Sequence, residues 1–208
     1  MLRKVLTIYL LFFSLLLCYS CGRQIQLGSG YYLTRKDLVF DIKRFEIREK
    51  AGIAEYSLAD GTKVRETKFN NTGAILSQSF KQGSAVVEIK DYYPNLKLKR
   101  VQLFLNGLSV GMSYAYDQNG KLSKSVNYDH LFKLSVQDLI SMVKTKYQID
   151  LNIEQNGLVV ISQGAANDGT SPQYSMDIQL PDRRHRVIII DGDTGAILKD
   201  FMTGPSIE

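Results

Sequence analysis

The chain has 208 residues, a hydrophobic fraction of 44% and a formal net charge of +5, with 26 Lys and Arg against 21 Asp and Glu. That is ordinary globular composition, long enough for one or two domains, and it excludes a disordered, collagen-like or low-complexity chain. Two Cys and two His also exclude a disulfide-dense miniature scaffold and an array of zinc fingers.

Met1-Leu2-Arg3-Lys4 precedes an apolar run from Val5 to Leu17 and then Cys18-Tyr19-Ser20-Cys21-Gly22. A cationic start, a short apolar core and small residues after it define a secretory signal. The run falls short of the ~20 residues that span a bilayer. The Ser20-Cys21 junction resembles that of bacterial lipoprotein signals, where a small residue precedes the Cys that receives lipid. The resemblance implies a signal peptide over 1–20, lipid attachment at Cys21 and a place in the cell envelope. Gly22-Arg23-Gln24 carries no Asp, which favours the outer membrane over the inner. A transmembrane anchor, a secreted chain with a free Cys21 thiol and a Cys18–Cys21 redox pair are the alternatives. A chain beginning at Cys21 has 208 − 20 = 188 residues and a balance of 24 − 21 = +3, which is no nucleic-acid footprint. Residues 22–30, ending in Gly28-Ser29-Gly30, read as a flexible tether.

From 31 to 129 the pattern is short β segments divided by turn residues. Leu38, Phe40 and Ile42 alternate as in a strand, and Phe45 and Ile47 continue out of phase, which suggests a bulge or a turn. Asp60-Gly61, Asn70-Asn71-Thr72-Gly73, Asn106-Gly107 and Asp117-Gln118-Asn119-Gly120 are hairpin signals. Phe69 to Leu76, Tyr92 to Leu98 and Tyr116 to Leu122 share an aromatic, a turn and an aliphatic, roughly every 24 residues. Asn106-Gly107, Gly111 and Tyr114-x-Tyr116-x-x-x-Gly120-Lys121-Leu122 resemble the MORN-variant repeat proteins. The resemblance implies a β-repeat domain over 31–129 with no catalytic residue. It also implies an immunity or antitoxin-type role, neutralising a partner protein.

After Leu134 the period changes. Ser135 and Asp138 form a capping box, and Val136, Leu139, Ile140, Val143 and Tyr147 make the stripe of an amphipathic helix. Leu158 to Ile161, Tyr174 to Leu180, Val187 to Ile190 and Ala196 to Leu198 read as strands. Tyr174-x-Met176-x-Ile178 and Ile190-Asp191-Gly192-Asp193-Thr194-Gly195-Ala196-Ile197-Leu198 resemble a PepSY-like domain, here 130–208. That resemblance implies an envelope structural or inhibitor-type module. The expected fold is α+β and mostly β: an antiparallel meander of repeat hairpins, then a small helix-plus-antiparallel-sheet domain.

Gly107-Leu108-Ser109-Val110-Gly111 matches the G-x-S-x-G nucleophile elbow, which needs a strand, a sharp turn and a helix. Here it begins in an Asn-Gly turn and enters another strand, so a hydrolase using Ser109 is the remotest reading. Asp191 and Asp193 resemble the nucleophilic strand of haloacid-dehalogenase phosphatases, yet only thirteen residues follow Gly195. A calcium loop wants Gly sixth and Glu twelfth, where Ala196 and Met202 stand, so a solvated turn is expected. Arg183-Arg184-His185-Arg186 is the sharpest charge cluster. Arg183, Arg184 and Arg186 read either as contacts to headgroups or an acidic partner, or as a polar hairpin tip. Tyr92, Tyr93, Tyr114 and Tyr116 read as a binding face or as repeat packing. His130 reads as an ordinary loop residue. The sum is a non-enzymatic, lipid-anchored binding protein with a protein partner, no cofactor, no metal and no nucleic acid.

Overall fold

The computed structural model describes residues 24–153, 159–164 and 172–204. Cys21, the residues before it, Leu158 and residues 165–171 therefore lie outside the described residues. Seven strands run as an uninterrupted antiparallel meander: β3 (Ile53–Ser57), β4 (Lys63–Lys68), β5 (Ile75–Phe80), β6 (Val86–Tyr92), β7 (Leu98–Leu105), β8 (Leu108–Tyr116) and β9 (Leu122–Asn127). A smaller four-stranded sheet follows in the same order: β10 (Val159–Gly164), β11 (Gln173–Gln179), β12 (His185–Asp191) and β13 (Ile197–Thr203). The expected α+β, mostly β class is the observed one.

The recurring turns at one end of the meander are built alike. Phe69–Ala74, Tyr93–Lys97 and Asp117–Lys121 each close with a hydrogen bond between their first and last residues. Gly73, Leu96 and Gly120 hold the left-handed position, at φ +66°, +66° and +85°. The latter two turns also stack. Tyr93 Oη donates to Tyr116 O, Asn95 Nδ2 to Gln118 O and Lys97 Nζ to Asn119 O. The 24-residue similarity therefore has a physical cause: equivalent turns lie side by side and bond to one another.

The region before β3 differs from the sequence reading. Residues 22–30 are not a tether throughout, since β1 (Ile25–Gly28) pairs antiparallel with β2 (Tyr31–Leu33). Leu27 and Leu33 are both 1% exposed, so apolar burial fixes the hairpin that Gly28-Ser29-Gly30 turns. Nor are residues 38–47 strand. A 3₁₀ turn (Arg35–Leu38) leads to helix α1 (Ile42–Arg48), whose N-cap Asp41 accepts from Arg44 N at 3.0 Å. Phe45 faces inward at the i+3 spacing from Ile42, while Ile47 stays 81% exposed. The phase shift that reads as a bulge or a turn is thus a change of period.

These segments cover one face of the meander. Leu27 lies so close over β8 that a Cβ on Gly111 would meet Leu27 O at 2.3 Å, and Gly111 has φ +65°. Tyr92 Oη donates to Asp37 O, and Phe40 packs on Tyr92 with ring centroids 5.1 Å apart. Helix α2 (Val136–Tyr147) begins at the expected Ser135 cap, whose Oγ accepts from Asp138 N. It buries Val136, Leu139, Ile140 and Val143, the expected stripe less Tyr147. The buried apolar residues of both sheets form one cluster, from Leu27 through Leu105 and Leu108 to Ile161, Tyr174 and Ile190. Across the join, Ile161 N donates to Asn106 O, Asn106 Nδ2 to Leu151 O and Ala85 N to Asn152 O.

Candidate functional site

The residues singled out in sequence sit mostly inside the scaffold. Tyr92 and Tyr116 are both buried; burial, then the nearby Asp37 and Glu88 carboxylates, push the Tyr92 phenol well up. Tyr93 spends its hydroxyl on the neighbouring turn. Tyr114 is half-buried against the core, on the covered face opposite Val101. The four tyrosines do not share an exposed face.

The arginine cluster is likewise divided. Arg183 holds the left-handed position of the β11–β12 turn at φ +64°. Arg184 Nε pairs with Asp182 at 2.7 Å in that same turn. Arg186 makes a two-pronged pair with Asp200 at 2.9 and 3.0 Å and lies 4.7 Å from the Tyr147 ring centre. Tyr147 Oη also donates to Asp200, so Arg186 ties the end of α2 to β12 and β13. His185 Nδ1 lies 2.8 Å from Asp177 Oδ1.

Ser109 Oγ accepts from Gln102 Nε2 at 2.6 Å, and strand β8 continues past it to Tyr116 with no helix. Gly111 N donates to Asp129 Oδ1 at 2.7 Å, so the second glycine of the pentapeptide marks a strand bulge and a close backbone crossing. Asp191 Oδ1 accepts from Asp193 N, Thr194 N and Thr194 Oγ1 at 3.0, 2.7 and 2.8 Å. Asp193 reaches Lys133 at 3.1 Å. Asp191 Oδ1 thus serves the turn itself and Asp193 Oδ2 the pair with Lys133, and no cluster of three metal-type ligands occurs among the described residues.

Two features that sequence reasoning did not single out remain. One is a cleft of about 420 Å³ between the β1–β2 hairpin, the meander and the start of α2. Leu105, Val110 and Ile140 line its floor, and Asp129, His130 and Gln137 are among its polar residues. Next to it Tyr174, whose hydroxyl donates to Leu134 O, is pushed up to about 12 by burial and then by Asp129.

The other is the uncovered face of the meander. Phe80, Val87 and Phe104 stand directly opposite one another across β5, β6 and β7, with Lys63 and Ser109 continuing the row. Ile89 lies beside them between Gln78 and Gln102. Phe80 is 37% exposed, and Val87, Ile89 and Phe104 are half-buried. Two ion pairs edge the row, Arg65–Glu55 at 3.5 Å and Arg100–Asp91 at 2.8 Å. The contacts of the hairpin, the 3₁₀ turn and α1 described above all run to the opposite face. No family model matches this chain, and no curated protein or solved structure does.

Proposed function

We propose that this chain is a lipid-anchored envelope protein that binds a partner protein through the uncovered face of its meander, in the manner of an immunity or antitoxin-type protein. The Phe80–Val87–Phe104 row supports the reading best. Single exposed apolar side chains are common on protein surfaces, whereas a contiguous apolar row edged by charged pairs has the make-up of a binding patch. The resemblance of the repeat segment to MORN-variant proteins and the lipoprotein-like junction at Ser20-Cys21 point the same way. So does the commitment of Ser109, Asp191 and Asp193 to structural hydrogen bonds. The absence of an Asp directly after Cys21 supports the outer membrane over the inner.

A second reading, an inhibitor-type module acting through the PepSY-like half, has one observation behind it. Edge strand β13 leaves Leu198, Phe201 and Met202 about 45% exposed, and an edge of this kind can accept an extended chain. One experiment separates the two. A photo-crosslinking residue is placed at Gln78 or at Phe201 in the full chain expressed in cells. The meander reading expects a discrete, identifiable protein adduct from Gln78, lost when Phe104→Glu is added, and none from Phe201. An adduct from Phe201 alone establishes the second reading, and no protein adduct from either position overturns both.

A further inference from the structure

We infer that the layer formed by residues 24–50 is the side of the molecule that rests on the lipid bilayer, a surface containing anionic headgroups. The inference rests on lipidation of Cys21, and its first support is the length of chain between that residue and the fold. Ile25 already pairs with Leu33 in the first hairpin. Gln24 is three residues from Cys21, and a fully extended chain reaches about 3.6 Å per residue, about 11 Å in all. A lipid on Cys21 therefore holds the folded body within roughly one headgroup layer of the membrane. The leash starts from the covering layer itself, beside Leu33.

The second support is what that layer shows outward. From β2 to the end of α1 it presents Tyr32 at 47%, Val39 at 58% and Ile47 at 81% exposure. Ile47 is the most exposed large apolar side chain among the described residues. Arg35, Lys36, Lys43, Arg48 and Lys50 lie exposed around them, against Asp41, Glu46 and Glu49, an excess of 5 − 3 = +2. Arg44 and Asp37 do not count, because they turn inward to Glu66 and Lys90. Of the three acids, Asp41 is held at the start of α1 and Glu49 accepts from Gly52 N at 2.8 Å. Apolar side chains that penetrate the interface, surrounded by Lys and Arg that meet anionic headgroups, are the composition of a surface that lies on a membrane. The layer extends from Leu27 over β8 to Arg44 over β4, four strand spacings or about 19 Å. The basic side chains are thus all within reach of the same patch of bilayer as the leash. The uncovered face with Phe80, Val87 and Phe104 then points away from the membrane, where a partner protein has access to it.

The test uses the full lipidated chain reconstituted on vesicles of phosphatidylethanolamine and phosphatidylglycerol. A fluorophore is attached to Ile47→Cys or Val39→Cys, with Arg65→Cys on the uncovered face as the control. Quenching by nitroxide-bearing lipid is expected to be at least about threefold stronger at positions 39 and 47 than at 65. It should weaken when Arg35, Lys36, Lys43 and Lys50 are changed together to Gln. Equal or reversed quenching on a chain whose mass shows lipid at Cys21 overturns the inference and leaves the anchor standing. A mass showing no lipid at Cys21 overturns the anchor and, with it, the inference. A photo-crosslinker at Ile47 in cells is expected to label lipid, and a discrete protein adduct there overturns the assignment to a membrane.

Discussion

Arg183 shows how a residue that looks functional in sequence can be conformational in the structure. Its turn needs one residue in the left-handed region, the place that Gly73 and Gly120 take elsewhere, and Arg183 occupies it at φ +64° with an exposed side chain. An L-residue there costs about 1–2 kcal/mol, and glycine's extra backbone freedom offsets about 0.5–1 kcal/mol of any relief. Arg183→Gly is therefore expected to stabilise the fold by about 0.5 kcal/mol, seen as a melting temperature raised by about 1–2 °C. A lowered melting temperature would mean that the side chain makes an interaction worth more than the strain. Leu96 occupies the equivalent position at φ +66°, but its side chain packs on the core, so the same change there loses burial as well as strain.

The element with the least ordinary energetics is the covering segment before β3, because it docks on charged groups as well as apolar ones. Beneath it the sheet buries Glu66 at 0% and Glu88 at 7% exposure. Arg44 pairs with Glu66, which also accepts from Tyr56 Oη at 3.0 Å. Lys90 bridges Asp37 at 2.7 Å and Glu88 at 2.8 Å. Burial alone raises the Asp37 carboxyl, but Lys90 and the two bonds from Thr34 outweigh it and hold the group below its ordinary value of 3.8. A depressed carboxylate contributes stability above that value and loses it as pH falls through the lower folded one. Lys90→Ala strands two partly buried carboxylates, at a cost of about 3 kcal/mol near neutral pH. Urea unfolding at pH 7 and pH 3 is expected to show that gap between wild type and variant narrowing in acid, because the Asp37 carboxylate left without Lys90 is relieved by taking up a proton. A gap that stays constant would place the role of Lys90 in packing rather than charge.

The same segment explains what could be read from sequence and what could not. Turns were legible because Asn-Gly and Asp-Gly carry their backbone requirement in their composition, and α2 because its apolar stripe faces a single core. Strand β6, Val86–Tyr92, was obscure because it reverses the usual rule. Glu88 and Lys90 face the covered side and Val87 and Ile89 the open side, so the alternation of Val87-Glu88-Ile89-Lys90 points its apolar residues away from the core. The uncovered row was hidden for that reason, since Phe80, Val87 and Phe104 become neighbours only through register. Helix α1 was hidden by its length. At seven residues it shows two inward positions, Ile42 and Phe45, against the exposed Ile47.

At the scale of the whole molecule, the change of period near residue 130 separates two sheets but not two cores. Leu105 and Leu108 at the end of the β7–β8 hairpin and Leu151 and Ile161 beyond it are each no more than 2% exposed, within one buried cluster. Ile161 N donates to Asn106 O at 2.7 Å, so strand β10 is bonded to the β7–β8 turn of the first sheet. Separating the halves would expose those apolar groups and leave that carbonyl and the Asn106 amide without their partners, a combined loss of several kcal/mol. That loss is comparable with the entire stability of a typical domain. The chain lacking residues 1–20 is therefore expected to unfold in a single transition. Tyrosine fluorescence, which samples both sheets, and a label at Leu198→Cys on β13 should give coincident urea midpoints. Residues 24–129 expressed alone should not show a cooperative transition. Two resolved midpoints, or a cooperatively folding 24–129 fragment, would show that the buried cluster does not couple the halves.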